Sequence, residues 1–241
     1  MSELFSIQLQ NRQQQGGDGV WLDLPTTTEQ VQVALRQIGI SSDNPQGLFI
    51  SGYFAEEEKR FAISYNMVLA SNVDELNFLA SRLETLSTGE RAELNAALQA
   101  PQSELFSIGR ITDFPENVDY YVHLPDVHGP AQLGDYYLNR SGMVNMPEEW
   151  KGGIDTAQFG RYVAQQEQGA FTQYGYLVKS GDEWQKVHEG QPVPEEYRVL
   201  SFPAPEVLRD AANIPPPVQP ETEPQKVIPI ILNGKDSAER M

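Results

Sequence analysis

The sequence predicts an α+β fold built as an elongated chain of three small domains and a Pro-rich tail. Three observations predict it: strand-like alternation in two separate stretches, amphipathic helical runs between them, and a change of composition beyond Lys179. We expect an N-terminal α+β domain at residues 1–65, a helical middle domain at 66–110 and a C-terminal α+β domain at 111–180. Residues 181–241 would form a partly disordered extension.

The first domain opens with alternating apolar and polar residues in SELFSIQLQ, which predicts a half-buried strand, and VWLDLP predicts a second. TTTEQVQVALRQIG predicts a helix with a capping box, in which Thr26 is the N-cap and Glu29 its partner. Gly39 would end this helix. Its apolar stripe comprises Val31, Ala34, Leu35 and Ile38. GLFISGYF predicts a third strand, and AEEEKR a turn or loop.

The middle domain is predicted as successive helices. SNVDELNFLASRLETL carries one apolar face with Asn72 as its cap, and STGERAELNAAL begins with Ser87 and Glu90 at capping-box spacing. The hexapeptide SELFSI then occurs a second time, with flanks unlike those of the first copy, so we interpret the repeat as coincidence. Here we expect Ser103 to cap a short helix carrying Leu105, Phe106 and Ile108.

The third domain is predicted as a strand, two helices and a strand. VDYYVHLP is strand-like, PAQLGDYYLNRSG predicts a helix ended by Gly142, and TAQFGRYVAQQEQG one ended by Gly169. AFTQYGYLVKS then predicts a closing strand. Beyond it we expect a small hairpin or hook, the Pro-rich linker NIPPPVQPETEPQ and a short apolar segment, KVIPIILNG.

The charge of the chain is strongly negative. Thirty-four Asp and Glu oppose 17 Lys and Arg, which gives a net charge of −17. Residues 66–135 alone hold 11 acids against three arginines. Such a chain repels nucleic acid and anionic membranes and attracts basic surfaces, although the same charge also serves plain solubility. We therefore expect a cationic partner and neither nucleic acid nor a membrane.

Composition also bears on location. The chain has no cysteine, which excludes disulfides and thiolate metal sites and suits a reducing cytosol. No apolar run is long enough to cross a membrane, and the first twenty residues lack the pattern of a signal peptide. The expected location is the cytoplasm.

Catalytic motifs are absent from the sequence. It contains no G-x-S-x-G, P-loop, G-x-G-x-x-G or H-E-x-x-H pattern. HLPDVH brings His123, Asp126 and His128 together, which superficially resembles a metal cluster, but a surface turn with ordinary polar residues explains it better. We expect no enzyme, no catalytic or metal-binding residue and no cofactor.

Five stretches carry a family resemblance, in this order: GVWLDLP, VDELNFLASRLETL, ITDFPENVDYYVHLPDV, QLGDYYLNRSGMVNMPEEW and IDTAQFGRYVAQQEQGAFTQYGYL. The third stretch agrees with the family's sequence pattern at Glu116, Asn117, Asp119, Tyr121 and Pro125. The fourth stretch, which corresponds to the family's antirestriction motif, agrees at Leu133, Gly134, Tyr136, Gly142 and Pro147. From roughly Leu4 to Val178 the chain resembles the ArdA-type antirestriction proteins.

The resemblance implies a protein of a mobile genetic element, such as a conjugative transposon, that mimics B-form DNA. It implies a homodimer that blocks the DNA groove of type I restriction–modification enzymes, at the methyltransferase core of specificity and modification subunits. Carboxylates would replace phosphates; the candidates are Asp74, Glu75, Glu84, Glu90, Glu93, Asp113, Glu116, Asp119, Asp126 and Asp135. Possible dimer contacts from the antirestriction motif are Leu133, Gly134, Tyr136, Tyr137 and Gly142.

A second hypothesis remains open. The chain could be a non-catalytic interaction module of a mobile-element protein that binds another basic partner. The long tail favours it, as do IDT and GRY where the family has IDY and GRD. A mimic needs a continuous acidic ridge, whereas a scaffold would show acidic patches broken by basic residues. The residues that could break the ridge are Lys59, Arg60, Lys151 and Arg161.

Overall fold

A computed structural model describes residues 3–14, 17–41, 45–101 and 103–200 of the chain. Helices and strands are mixed along it, so the predicted α+β class is confirmed. The Pro-rich linker and the apolar segment KVIPIILNG lie outside the described residues. The division into three domains stays a prediction.

The N-terminal sheet has the order β2-β1-β3 and is antiparallel throughout. Its strands are β1 (Phe5–Asn11), β2 (Val20–Leu24) and β3 (Leu48–Phe54), and helix α1 (Thr28–Gln37) contacts β2. The three predicted strands and the helix are confirmed. The predicted cap was wrong by one residue, because Thr27 is the N-cap and Gln30 its partner. Thr26 instead is buried, and its backbone N–H donates to Asn77 Oδ1 at 2.7 Å.

The middle of the chain is helical, as predicted. Its helices are α2 (Tyr65–Leu69), which the sequence analysis missed, α3 (Val73–Glu84), α4 (Thr88–Gln99) and α5 (Ile108–Thr112). The N-caps Asn72 and Ser87 are confirmed. The helix expected from Ser103 begins only at Ile108, because the Ser103 hydroxyl accepts the N–H of Leu105 and closes a tight turn. Ser107 caps α5 instead.

The third part of the chain forms a second antiparallel sheet with the order β4-β6-β5. The elements are β4 (Tyr121–Leu124), α6 (Pro130–Asp135), α7 (Glu148–Lys151), α8 (Thr156–Glu167), β5 (Ala170–Thr172) and β6 (Gly175–Lys179). A π-helical turn, Tyr136–Arg140, prolongs α6 up to Gly142, which has φ +70°. The predicted closing strand is instead the hairpin β5–β6, because the Thr172 hydroxyl accepts the N–H of Tyr174 and turns the chain. The C-cap of α8 is Gln168, whose φ is 55°, and it lies one residue before the predicted stop at Gly169.

The larger hydrophobic core is continuous from the N-terminal sheet to the second sheet. It includes Ile7 of β1, Leu79 of α3, Leu94 of α4 and Leu177 of β6. A smaller core, centred on Val127, Leu133 and Tyr176, lies under α6. The larger core therefore extends across both predicted domain boundaries, the one after residue 65 and the one after residue 110.

Residues 182–200, which we call the strap, run back over α3 and the segment after α5. The predicted hairpin is not formed there: within the strap the structure has one 3-10 turn, Glu195–Tyr197, and no strand. The alternative expectation of a hook stays a prediction, and Val199 near the end of the strap is buried in the larger core.

Candidate functional site

An acidic cleft lies between the segment after α5 and the beginning of the strap. Its volume is about 470 Å³, and its lining residues are Glu116, Asn117, Asp119, Tyr120, Asp182, Glu183 and Gln185. Four of them are carboxylates and none is Lys or Arg. Among the described residues, the one cation paired with a carboxylate of the cleft is Arg82, which binds Glu116.

Helix α4 adds carboxylates close to this cleft. Burial, together with the charges of Glu90 and Asp119, raises the pKa of Glu93 to about 8. Glu93 Oε1 is buried and has no hydrogen-bond partner among the described residues. The pKa of Glu90 is lowered instead, because its carboxylate accepts hydrogen bonds from Ser87 at the helix N-terminus. Two neighbouring carboxyl groups on one helix thus have opposite electrostatic environments.

The stretch QLGDYYLNRSG lies on α6 and the π-helical turn, where glycines allow two helices to cross at backbone contact. A Cβ on Gly134 would lie 1.9 Å from the carbonyl oxygen of Thr156, and one on Gly160 would lie 1.8 Å from that of Pro130. Leu133 is fully buried in the smaller core. The close approach of α6 and α8 therefore requires glycine at both positions.

The tyrosines of this stretch fix α6 to α8 and the second sheet. The hydroxyl of Tyr137 donates to Glu167 Oε1, and that of Tyr176 donates to Glu167 Oε2 at 2.9 Å. Burial, together with the Glu167 carboxylate, raises the pKa of both phenols. Tyr136 packs edge-on against Tyr137, with ring centroids 5.5 Å apart, and lies under the Arg140 guanidinium. These contacts are internal to the chain, and a dimer contact at these residues stays a prediction.

The three candidates for a metal cluster have other surroundings. His123 Nε2 lies 2.7 Å from the carbonyl oxygen of Tyr174, and His128 is exposed, with its backbone N–H donating to Gln132. Asp126 is exposed as well. Within the part of the chain that the structure describes, no three His, Asp or Glu side chains are placed to hold a metal ion.

A comparison with protein families shows which family the chain belongs to. The model of the family described as antirestriction protein (ArdA) matches residues 17–178. The chain belongs to the ArdA family. A search of curated proteins found no match. Family membership supports an antirestriction role in general. The match contains α6, α8 and the Glu116 and Asp119 side of the cleft, and it ends before the strap.

One of the predicted surface carboxylates, Asp113, is used inside the fold of this chain. Asp113 is wholly buried and accepts the backbone N–H groups of Val187, His188 and Glu189 at 2.6–3.2 Å. The prediction that Asp113 belongs to the exposed acidic surface is therefore wrong. Its partners lie more than 70 residues further along the chain, so no local pattern could have indicated them.

The other candidate carboxylates divide into three groups. Glu116, Asp119 and Asp126 are exposed. Asp74, Glu75, Glu84 and Glu93 are half-buried on α3 and α4. Glu90 and Asp135 are also half-buried and are paired, Glu90 with Ser87 and Asp135 with Arg140 at 3.2 Å. Sequence reasoning missed Asp182 and Glu183, although the acidic pair in SGDEWQK was visible, because residues past Lys179 were assigned to the extension.

No helix among the described residues is long and apolar enough to cross a membrane.

Proposed function

We propose that this ArdA protein inhibits type I restriction–modification enzymes by mimicking B-form DNA. Its carboxylates would take the place of backbone phosphates in the DNA groove of the methyltransferase core, formed by the specificity and modification subunits. The observation that carries the proposal is the acidic cleft, which is lined by the carboxylates of Glu116, Asp119, Asp182 and Glu183, and of these Glu116 is paired with Arg82. Membership of the antirestriction family supports the same conclusion.

The physical basis is the exchange of counterions. A protein groove that binds DNA neutralises phosphates with Lys and Arg, and its affinity falls steeply as salt rises. A matching array of carboxylates would engage the same cations and inherit the same salt dependence. The net charge of −17 would also steer the chain toward such a groove over a distance set by ionic screening.

The direct test is competition with DNA. The protein is mixed with a type I methyltransferase bound to its labelled DNA site, and displacement is followed at two salt concentrations. We expect displacement at nanomolar to micromolar protein that weakens as salt rises. A folded sample that displaces no DNA at low salt would contradict the proposal for that enzyme.

A matched pair of variants locates the binding surface. In the first, Asp119, Asp182 and Glu183 of the cleft are changed together to Lys, which leaves the Glu116–Arg82 pair intact. In the control, the exposed residues Asp18, Glu57 and Glu149, which lie elsewhere, are changed to Lys for the same change of net charge. We expect the cleft variant to compete at least about tenfold more weakly than the control, because three groups that replace phosphates are reversed. Equal competition by the two variants would contradict the assignment of this surface.

The second candidate function is that of an interaction module for another basic partner. It is favoured by two exposed arginines, Arg60 after β3 and Arg161 on α8, because basic surface residues are expected of a scaffold and not of a continuous acidic ridge. The same competition experiment separates the two functions, because a module of this kind would leave methyltransferase-bound DNA in place.

We also propose that the protein is a homodimer and that it acts in the cytoplasm. Met143 and Trp150, in the same stretch as the antirestriction motif residues, are 76% and 68% exposed, and we propose that these apolar side chains contribute to a dimer surface. Sedimentation of the wild type and of Trp150→Ala tests this surface: we expect a dimer that the substitution weakens, and a wild-type monomer would refute it.

A further inference from the structure

The strap lies beyond the part of the chain that matches the ArdA family, yet it is attached to the body by buried polar groups. At its first anchor, Asp113 accepts three consecutive backbone N–H groups, from Val187, His188 and Glu189. One carboxylate oxygen accepts from His188, and the other accepts from both neighbours. Since Asp113 is wholly buried, these three hydrogen bonds compensate for the hydration that its carboxylate has lost.

A second anchor lies four residues later. Asn117 is 4% exposed and binds Gln185 in both directions. Its Oδ1 accepts the Gln185 N–H at 2.7 Å, and its Nδ2 donates to the Gln185 carbonyl oxygen at 2.9 Å. Next to it, Trp184 packs edge-on against Tyr120 and lies under the guanidinium of Arg110, 5.2 Å from the ring centroid. This end of the strap is therefore fixed beside the acidic cleft.

The far end of the strap is anchored to α3. Asn77 donates through Nδ2 to the Tyr197 carbonyl oxygen at 3.0 Å, and Asp74 Oδ1 accepts the N–H groups of Val199 and Leu200 at 2.7 and 2.8 Å. Phe78 of the same helix contacts the rings of both His188 and Tyr197. The strap thus connects α3 to the segment that follows α5.

We propose that the strap is a clamp that holds the acidic cleft in a fixed geometry and completes it. The clamp bridges α3 and residues 113–120, and it carries Asp182 and Glu183, which form one side of the cleft. Without the strap, the cleft keeps two of its four carboxylates, those of Glu116 and Asp119. Fixed carboxylates bind a rigid cationic groove better than mobile ones, because the partner need not order them. The effect on the partner rests on the proposed function, whereas the clamp itself does not.

The test uses the full chain and the substitution Asp113→Asn. An amide can accept with one atom only, so its NH₂ group would face at least one N–H donor and hydrogen bonds to the strap would be lost. Asp18→Asn, at an exposed position, is the control with the same change of charge. We expect amides of residues 185–200 to exchange with solvent at least about tenfold faster in Asp113→Asn, corresponding to a loss of about 1.4 kcal/mol. The control should exchange like the wild type.

The same proteins are then compared in the DNA competition experiment. We expect Asp113→Asn to compete severalfold more weakly than Asp18→Asn. Unchanged exchange in the strap would overturn the clamp. A released strap with competition equal to that of the control would overturn its role in positioning the cleft.

A second variant covers the case in which Asp113→Asn also loosens α3 and α4. Trp184→Ala acts from the strap side, where it removes the contacts with Tyr120 and Arg110 and leaves the buried anchors in the body unaltered. Faster exchange confined to the strap supports the clamp. Exchange in the strap equal to that of the wild type refutes it. If the wild type itself displaces no DNA, the proposed function fails while the exchange data still decide whether the clamp exists.

Discussion

The crossing of α6 and α8 gives the sharpest test of how the antirestriction motif contributes to the fold. Gly160 lies in the interior of α8 and is buried. A methyl group there would meet the Pro130 carbonyl oxygen at 1.8 Å, its carbon at 2.7 Å and the Gly134 nitrogen at 2.8 Å. All three atoms are backbone, so no side-chain rotation can relieve the clash, and Gly160→Ala must push the two helices apart.

The expected change in folding free energy for Gly160→Ala is the balance of two opposing effects. Overpacking of this kind costs about 1–3 kcal/mol, and a clash with rigid backbone belongs at the upper end of that range. Alanine recovers about 1 kcal/mol through its better helix propensity. The net loss of folding free energy is therefore about 2 kcal/mol, which lowers Tm by roughly 4–8 °C for a domain of this size.

The assay is thermal unfolding followed by circular dichroism, with Gly89→Ala as the matched control. Gly89 lies in the first turn of the helix α4, and an added Cβ there meets no atom within 4 Å. The same substitution should therefore raise Tm slightly, through a gain of about 0.5–1 kcal/mol. If Gly160→Ala melts within one degree of the wild type, or above it, the backbone contact between α6 and α8 is not as described.

Two further changes test buried polar groups. Asn77→Ala removes the partners of the Thr26 N–H and the Tyr197 carbonyl, so we expect it to lower the free energy of unfolding by about 2–4 kcal/mol in urea, against little change for the exposed Asn139→Ala. Glu93 has a folded pKa of about 8 against an ordinary value of 4.5, so its protonated form is favoured by folding and the associated stability is lost as pH rises from about 4.5 to 8. Glu93→Gln should therefore raise the urea midpoint relative to the wild type at pH 9 and leave it nearly unchanged below pH 4.5; a gain equal at both values would count against the buried carboxyl.

Local signals predicted the local structure. The N-cap Asn72 and the capping box of Ser87 with Glu90 are found where they were predicted, because each signal is complete within four residues. The cap of α1 was misplaced because three threonines in succession can each serve as N-cap. Asn77, 51 residues away, binds the backbone of Thr26 and leaves the cap to Thr27.

Long-range contacts explain what the sequence could not predict about the site. Asp113 and Asp119 have the same side chain and each is followed by an aromatic residue, yet one is buried under the strap and the other is exposed at the cleft. What separates them is the return of residues 187–189 to Asp113. The strap itself has no regular hydrophobic period, because backbone groups rather than a side-chain stripe attach it.

The division between buried and exposed carboxylates has a consequence for any mutational map of the acidic surface. Loss of inhibition on changing Asp113 or Asp74 would not show contact with the partner, because both bind the strap. The salt dependence separates the two causes. A carboxylate that replaces a phosphate contributes to the slope of log Kd against log salt, so its removal makes the slope shallower. A carboxylate that only positions the cleft leaves the slope unchanged while Kd rises, and we expect Asp119→Asn to follow the first pattern and Asp113→Asn the second.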